Sequence, residues 1–548
     1  MLKFLPLLAA LGVSVIIHAQ TKSDTIRLIR EAAGLYDLSF TQAEADSMTD
    51  GVEENLALYR ALHQTYPPND LAYPFAFHPA PAGYPVPRLQ RPIAWDLAPV
   101  ELPANREELA FYSIPQLASL IKSRKITSVE LTRFFLDRLK KWGDTLQCVI
   151  TLTEDLALHQ AAQADKDLRE GRYHGLLHGI PYGLKDLFAV RGYKTTWGTT
   201  PYKDQVIDED AFVYQQLRKA GAVLCAKLSL GALAFNNKWF GGETKNPWNL
   251  KQGSSGSSAG SAAATAAGLL PFTLGTETLG SIVSPSDRCG TTGLRPSFGA
   301  ISRSGAMVLC WSLDKIGPIC RSAEDAAIVY YYIKGSDGKD PASADHAFNF
   351  APHRDIRSLR IAYAANYFRD SRNREVARVI EVFRSLGARV QAVDFPDSTL
   401  YPVNLVGIIL NAESAAAFDE LTRTNRDDLI ERQDKDFWPN SFRVARTIPA
   451  VEYINANRYR STLCRKMAEF MKDYDVLIVP TFEGSQLSIT NLTGNPVVCL
   501  PAGFRGDGTP FSVSFIGRLY DEASILEAAK AYQDATSYHK LHPALFRQ

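Results

Sequence analysis

Residues 253–296 read GSSGSSAGSAAATAAGLLPFTLGTETLGSIVSPSDRCGTTGLRP, and this stretch decides the fold. A loop rich in serine and glycine turns directly into an alanine-rich apolar run, which is followed by a short β-like segment and a second serine loop. Flexible linkers are rich in Gly and Ser along their whole length, whereas this stretch becomes apolar, so it is not typical of a linker. Its order predicts a loop, a helix, a strand and a second loop that together carry chemistry.

Short β-rich runs alternate with helical patterns on the N-terminal side of this stretch. The alternation predicts an α/β fold, in which helices cover both faces of a sheet. Thr127 and Glu130 have the spacing of a capping box, which predicts the start of an amphipathic helix. The runs in chain order are CVITLT at 148–153, a helix over 155–170, GIPYGLKDLFAV at 179–190, a helix over 213–220 and AVLCAKL at 222–228.

The composition predicts one large domain with an N-terminal extension. The chain has 548 residues, of which 46% are hydrophobic and 22% charged, and a chain of this size can bury a large core. Residues 20–111 form the predicted extension: helical patterning runs to about residue 66, and ten of the thirty prolines then fall between Pro67 and Pro103. Proline interrupts helices and central strands, so the second part is predicted to be an extended arm. The main domain is predicted over 112–548.

The first 19 residues resemble a secretory signal peptide. Lys3 precedes an apolar stretch from Phe4 to Ile17, and a small residue, Ala19, lies at the expected cleavage site. The alternative is a membrane anchor, but 14 apolar residues fall short of the roughly 20 that span a bilayer. We therefore expect export to the periplasm or the medium without stable membrane insertion.

Charge and cysteine usage exclude several classes of function. The formal net charge is +1, and no basic cluster provides a phosphate-binding surface, so nucleic acid is not an expected partner. The seven cysteines form no CxxC pair and indicate neither a disulfide framework nor a zinc site. We expect them to be buried small apolar residues. They are Cys148, Cys225, Cys289, Cys310, Cys320, Cys464 and Cys499.

The serine loops admit two kinds of nucleophilic site, since a serine hydroxyl needs a nearby base and backbone N–H donors for the oxyanion. In the first kind, residues 256–260 match the G-x-S-x-G nucleophile elbow, with Ser258 as nucleophile and His539 or His542 downstream. That elbow follows a buried strand, whereas the preceding residues here, ETKNPWNLKQ, are polar. The second kind uses lysine in place of histidine.

Four motifs in order support the second kind of site. They are GIPYGLKD at 179–186, GSSAGSAAA at 256–264, GTETLGSI at 275–282 and CGTTGLRP at 289–296. With these motifs the chain resembles the amidase signature family from about Tyr112 to its C-terminus. The spacing of 24 residues between Ser257 and Ser281 matches that of the two catalytic serines of the family.

The resemblance implies the amidase signature fold, with a large central mixed sheet, and a Ser/cis-Ser/Lys triad. Ser281 would attack the amide carbonyl, Ser257 would relay protons after a cis peptide bond, and Lys185 would be the base. A lysine acts as a base only when its pKa is lowered toward the working pH, which burial achieves. The apolar surroundings of Lys185 in the sequence are consistent with that role.

The resemblance also implies an oxyanion hole made by the backbone N–H groups of Thr278, Leu279, Gly280 and Ser281. Here the chain departs from the family pattern D-x-G-G-S-I-R, because Leu279 replaces a glycine and Val283 replaces the arginine. A leucine is strained at positive φ, so the hole must differ if the turn requires positive φ at residue 279. Loss of the arginine removes a charge that would brace the loop or bind an anionic substrate, and an apolar entrance favours a neutral or hydrophobic amide.

The resulting hypothesis is an amidohydrolase that uses no metal or cofactor and acts on a small-molecule amide. Two alternatives are the A subunit of a glutamyl-tRNA amidotransferase and a non-catalytic binding protein that lost its oxyanion hole at Leu279 and Val283. Residues 400–453 are predicted to be helical, in a region where the family shapes its acyl pocket. Four aromatic residues are candidates for either core or substrate wall: Trp197, Trp239, Phe240 and Trp248.

Overall fold

The computed structural model describes residues 21–62, 64, 68–69, 75–369, 375–396 and 403–548. The predicted signal peptide, residues 1–19, lies outside these residues. The chain divides into two compact units, one of residues 1–67 with 447–449 and one of residues 68–446 with 450–548. This division falls inside the predicted extension, and the boundary at 111/112 stays a prediction.

In its described residues, the smaller unit contains two α-helices, α1 (Lys22–Ala33) and α2 (Gln42–Leu62), which pack against each other. Thr21 begins α1 with a capping box, in which its hydroxyl accepts from the Asp24 N–H and the Asp24 carboxylate accepts from the Thr21 N–H. The helical patterning of this segment therefore corresponds to two helices.

The larger unit is built on an eleven-stranded mixed sheet in the order β1-β3-β2-β8-β10-β9-β14-β15-β13-β11-β12. Strands β2, β3 and β8 are parallel, β10 runs antiparallel to both β8 and β9, and β11 is parallel to β12 and β13. Two small ribbons, β4/β5 and β6/β7, lie outside the sheet. The strands are β1 Val149–Leu152, β2 Pro181–Lys185, β3 Val223–Leu228, β4 Lys238–Trp239, β5 Gly242–Glu243, β6 Lys245–Asn246, β7 Asn249–Gly253, β8 Phe272–Glu277, β9 Thr292–Arg295, β10 Lys315–Cys320, β11 Ile361–Ala364, β12 Val390–Val393, β13 Val476–Pro480, β14 Val497–Phe504 and β15 Pro510–Gly517.

The predicted α/β fold, with a large mixed sheet covered by helices on both faces, is confirmed. The residues of β2, β3, β8 and β10 are all buried, as expected for strands covered on both sides. The helices of this unit are α3 Ile114–Lys122, α4 Ser128–Leu146, α5 Glu154–Arg169, α6 Phe212–Lys219, α7 Ala259–Ala266, α8 Val283–Cys289, α9 Ala323–Ile333, α10 Ala365–Phe368, α11 Arg378–Ser385, α12 Leu405–Ala417, α13 Asp419–Arg423, α14 Trp438–Ala445, α15 Ala450–Met471, α16 Gln486–Thr493 and α17 Glu522–Thr536.

Local sequence signals account for several of these elements. Thr127 caps α4 through the predicted capping box with Glu130. The alanine-rich run forms α7, which is entirely buried and lies against β2, β3, β8 and β10, because its small side chains allow close packing on the sheet. The proline-rich residues 75–105 contain no helix or strand, consistent with an extended arm.

Two further expectations concern the cysteines and the membrane. All seven cysteines are buried and free, as expected for small apolar core residues. Among the described residues, no helix is both long enough and apolar enough to cross a bilayer.

Candidate active site

Lys185 lies at the end of strand β2, in the middle of the buried parallel region of the sheet. Its side chain has no solvent exposure. The amine donates to the Ser257 hydroxyl at 2.7 Å, to the Thr276 hydroxyl at 2.9 Å and to the Ser258 hydroxyl at 3.2 Å, and it lies 3.4 Å from the Thr276 carbonyl oxygen. Four oxygen atoms on two neighbouring segments therefore fix the position of this nitrogen.

Burial lowers the pKa of Lys185 from 10.5 to about 7, even though the negative charges of Asp314 and Glu277 oppose the shift. A second buried lysine, Lys227 on β3, has a carboxylate partner, since its amine lies 2.7 Å from Asp186 Oδ1. Within the part of the chain that the structure describes, the direct partners of the Lys185 amine are all neutral oxygen atoms. A neutral amine in this position is able to accept a proton from a hydroxyl group.

Ser257 follows the sharp turn that ends the first serine loop. The Gly256–Ser257 peptide bond is cis, as the family resemblance implies, and Ser255 has a φ of 61°. A Cβ atom on Gly256 would lie 1.8 Å from the Asn236 carbonyl oxygen, so only glycine fits between these two backbone segments. The close approach of the backbones directs the Ser257 hydroxyl toward Lys185.

Ser258, the nucleophile of the alternative elbow, is a buried structural residue. Its hydroxyl donates to the Thr276 carbonyl at 3.1 Å and accepts from the Thr276 N–H at 3.2 Å. Among the described residues, no strand of the main sheet leads into residue 258, since the preceding strand belongs to a two-stranded ribbon. Burial lowers the pKa of His539 to about 4 and that of His542 to about 3, and the His542 ring is stacked on another aromatic ring. The structure therefore gives no support to a His-dependent elbow.

Ser281 lies on the second serine loop, directly after β8. Its carbonyl oxygen accepts from the Ser258 N–H at 3.1 Å, which ties the two serine loops together. Ser281 retains 9% exposure, whereas Ser257 has none. Ser281 is thus the serine of the pair that a substrate reaches from solvent.

Glu277 shapes the turn that carries Ser281. One carboxylate oxygen accepts from the N–H groups of Ile282 and Val283 at 2.9 and 3.0 Å, and the other accepts from Arg295 at 2.7 Å and Asn491 at 3.0 Å. Burial by itself raises the pKa of Glu277, but Arg295, Lys315 and these hydrogen bonds hold it at about 2. The Glu277 carboxylate is therefore ionised, and its hydrogen bonds to the N–H groups of residues 282 and 283 fix the conformation of the loop.

The four N–H groups predicted to form the oxyanion hole are available. Across the described part of the chain, the N–H groups of Thr278, Leu279, Gly280 and Ser281 find no acceptor. Gly280 has a φ of 88°, while Leu279 does not have a positive φ. The turn thus requires left-handed backbone at the glycine that the chain retains and not at Leu279.

A family model named Amidase matches residues 130–490, about two thirds of the chain. The chain belongs to the amidase family. The predicted resemblance to amidase signature enzymes is thereby confirmed, and the four motifs that carried it lie within the matched residues.

The chain is similar in sequence to amidotransferase A subunits and similar in fold to a solved peptide amidase structure. The A subunit of glutamyl-tRNA(Gln) amidotransferase from Carboxydothermus hydrogenoformans is 31% identical and covers 80% of this chain and 100% of its own length. The corresponding protein of Roseiflexus sp. is 33% identical, with coverages of 77% and 96%. A solved structure of peptide amidase from Stenotrophomonas maltophilia is 28% identical, covers 79% of this chain and 98% of its own, and superimposes with a TM-score of 0.68.

The amidase site opens into a cleft of about 330 Å³ that contains Ser281 and Gly256 in its wall. Its lining comes from the serine loops, from the loop at 234–236, and from α12 and the start of α14 with the residues before it. Polar and apolar side chains contribute about equally to the lining, and the large apolar ones are Phe235, Leu279, Leu309, Leu410, Phe437 and Trp438.

The prediction that residues 400–453 are helical is confirmed in their described part, which also supplies part of this wall. The four aromatic candidates from the sequence, Trp197, Trp239, Phe240 and Trp248, do not line the cleft. The residues that do, such as Phe235 and Trp438, lie in no motif, and the sequence contains no signal that brings them together.

Proposed function

We propose that this chain hydrolyses a carboxylic amide through an acyl ester on Ser281, with Ser257 as proton relay and Lys185 as base. The observation that carries the proposal is the buried Lys185 amine, which has a pKa of about 7 and lies 2.7 Å from the Ser257 hydroxyl. A lysine with this pKa is present as the free amine in a substantial fraction near neutral pH. Membership of the amidase family supports the assignment.

Acylation requires one proton to move along the three side chains. As the Ser281 oxygen attacks the carbonyl carbon, its proton passes to Ser257, whose own proton passes to the Lys185 amine. The proton then returns from Lys185 through Ser257 to the departing nitrogen, so that the C–N bond breaks and the amine leaves neutral. In deacylation, water attacks the ester carbonyl carbon and gives a proton to Ser257 and Lys185; the ester C–O bond then breaks and the proton passes back to Ser281.

The oxyanion that forms at the carbonyl oxygen needs fixed donors in a dry site. The free N–H groups of residues 278–281 provide them, and Glu277 holds the loop without approaching as an acceptor, because its oxygen atoms are occupied by Arg295, Asn491 and the N–H groups of residues 282 and 283. Loss of one such donor in other enzymes costs about 10²- to 10³-fold in kcat. The loop geometry supports an intact hole.

We propose that the acyl group carries no negative charge. Among the described residues, the cleft lining includes no Lys, Arg or His. Val283, which replaces the family arginine, is fully buried among apolar residues. An anionic acyl group would enter this cleft without a counter-charge.

A serine-reactive fluorophosphonate tests the mechanism. We expect a covalent adduct on the peptide that contains Ser281, and we expect Lys185→Ala to slow labelling by orders of magnitude. His539→Ala and His542→Ala are matched controls, which should label at the wild-type rate. Labelling of Ser258, or loss of labelling in the histidine variants alone, would overturn the lysine-base mechanism.

A second candidate function is that of an amidotransferase A subunit, which the names of the 31–33% identical relatives favour. In that case hydrolysis of simple amides by the purified chain would be slow and would rise on addition of partner subunits and tRNA. Turnover of simple amides by the chain alone favours the hydrolase.

We also propose that the protein is exported and loses residues 1–19. The support is the arrangement of Lys3, the apolar stretch and Ala19 in the sequence. N-terminal sequencing of the protein from its native host should begin at residue 20 or 21. A chain that begins at Met1 in the cytosol would refute export.

A further inference from the structure

We propose that the substrate is the amide of an α-amino acid with an aromatic side chain and a free, protonated amino group. The proposal rests on the proposed function, since it uses the cleft that contains Ser281, and it adds the substrate class. Two features of the cleft carry it: a fixed exposed aromatic ring and a group of polar side chains without protein partners.

The ring belongs to Phe235, which retains 37% exposure in the cleft wall. Its back is covered by two buried aromatic side chains, Phe437 at a centroid distance of 4.9 Å and Trp438 at 5.3 Å. Trp438 is anchored in turn, because its indole N–H donates to the Leu233 carbonyl oxygen at 3.0 Å. A rigid ring with one free side favours stacking with an aromatic group of a ligand.

The polar side chains are Asp436, Asn411 and Ser441, which lie in the same cleft lining. Within the described residues, the Asp436 carboxylate, the Asn411 side-chain amide and the Ser441 hydroxyl have no hydrogen-bond or ion-pair partner. Asn411 and Ser441 are only half-exposed, so part of their surroundings is already shielded from water. Such groups are suited to hydrogen bonding with a ligand.

The charge in the cleft identifies the complementary group. Asp436 is the only charged residue in its lining among the described residues, and the neighbouring Asp434 is neutralised by Arg432 at 2.8 Å. An unpaired carboxylate attracts an ammonium group and repels a carboxylate. An ammonium group and an aromatic ring near one hydrolysable amide together describe an aromatic amino acid amide.

Three small amides separate the contributions of the ring and the ammonium group. L-Phenylalaninamide has both, 3-phenylpropanamide lacks only the amino group, and L-alaninamide lacks only the ring. At pH 7 the α-amino group is mostly protonated. We expect kcat/KM for phenylalaninamide to exceed each of the other two values by about fivefold or more, as a partly exposed ion pair or a ring contact provides.

Variants assign each preference to a residue. In Asp436→Asn, the ratio of kcat/KM for phenylalaninamide to kcat/KM for 3-phenylpropanamide should fall close to one. In the matched control Asp434→Asn, this ratio should stay at the wild-type value. Phe235→Leu should lower the phenylalaninamide to alaninamide ratio about fivefold. The thermal unfolding midpoint of each variant checks that it is folded.

The outcomes distinguish this inference from the proposed function. An unchanged ratio in Asp436→Asn, or faster turnover of 3-phenylpropanamide by the wild type, would overturn the substrate class while hydrolysis through Ser281 stands. Absence of both amide turnover and fluorophosphonate labelling at Ser281 would overturn the proposed function and this inference with it.

Discussion

The pH dependence of amide hydrolysis is set by the Lys185 amine. Burial lowers its pKa from 10.5 to about 7, and the base must be neutral to act. Below the pKa the neutral fraction falls tenfold per pH unit, so kcat/KM at pH 5 should be about 100-fold below its plateau. The plateau should be reached above about pH 8.

The assay uses 3-phenylpropanamide between pH 5 and 9, because this substrate has no group that titrates in the range. Ammonia release measured at low substrate concentration gives kcat/KM, whose inflection reports the free enzyme. A value of kcat/KM that is constant from pH 5 to 8, or that rises only near pH 10, would refute the assignment of Lys185 as base.

Removal of the negative charge of Asp314 tests whether the inflection of the pH profile belongs to Lys185. The negative charge of Asp314 raises the pKa of Lys185 and so limits the shift caused by burial. Asp314→Asn removes this charge, so the inflection should move to lower pH. The Asp314 carboxylate also accepts from the Thr278 hydroxyl at 2.6 Å, so the substitution also lowers the plateau value of kcat/KM. The test therefore uses the pH of the inflection and not the height of the plateau. A move to higher pH would contradict the electrostatic explanation.

Three further results are expected from the loops around the site. Gly256→Ala places a Cβ atom 1.8 Å from the Asn236 carbonyl oxygen and should abolish fluorophosphonate labelling of Ser281. The control Gly506→Ala, whose Cβ has no atom within 4 Å, should label at the wild-type rate. Equal labelling of the two variants would show that the close approach of the backbones is not required. Glu277→Gln removes the ion-pair partner of buried Arg295 and should lower the free energy of unfolding in urea by about 3–5 kcal/mol, and a loss below 1 kcal/mol would contradict the buried-pair argument. Because the pKa of Glu277 is depressed from 4.5 to about 2, the wild type should keep the associated stability of about 3 kcal/mol above pH 4.5 and lose it as the pH falls toward 2; the same acid-dependent loss in Glu277→Gln would exclude this carboxyl as its source.

The parts of the site that depend on local sequence could be predicted. The order of loop, helix, strand and loop in residues 253–296 is the observed order, with α7 and β8 between the serine loops. The capping box at Thr127 marks the start of α4. Such elements follow from side-chain types a few residues apart. The motifs also bring Lys185 and Ser257 into one hypothesis, in agreement with the 2.7 Å between the Lys185 amine and the Ser257 hydroxyl.

Beyond the helical region at 400–453, the cleft wall could not be predicted, because it is assembled from segments far apart in the chain. Phe235, Asn411 and Asp436 belong to three such segments, and nothing in their local sequence indicates a shared surface. The same holds for the support of Glu277, whose partner Asn491 is 214 residues away. Contacts of this kind depend on the packing of the whole domain and leave no periodic pattern in the sequence.

The two departures from the family pattern beside Ser281 have different consequences from those expected. The left-handed position of the turn is Gly280, so Leu279 adopts an ordinary backbone conformation and packs against the apolar cluster that contains Val283. Val283 itself is buried, and its N–H donates to Glu277, whose charge is balanced by Arg295. The loop is therefore braced without an arginine at residue 283, which removes the physical reason for expecting a broken oxyanion hole and hence a non-catalytic protein. Because Leu279 also lines the cleft, the substitution acts on the surface that meets the acyl group, and the departures bear on substrate choice more than on the reaction.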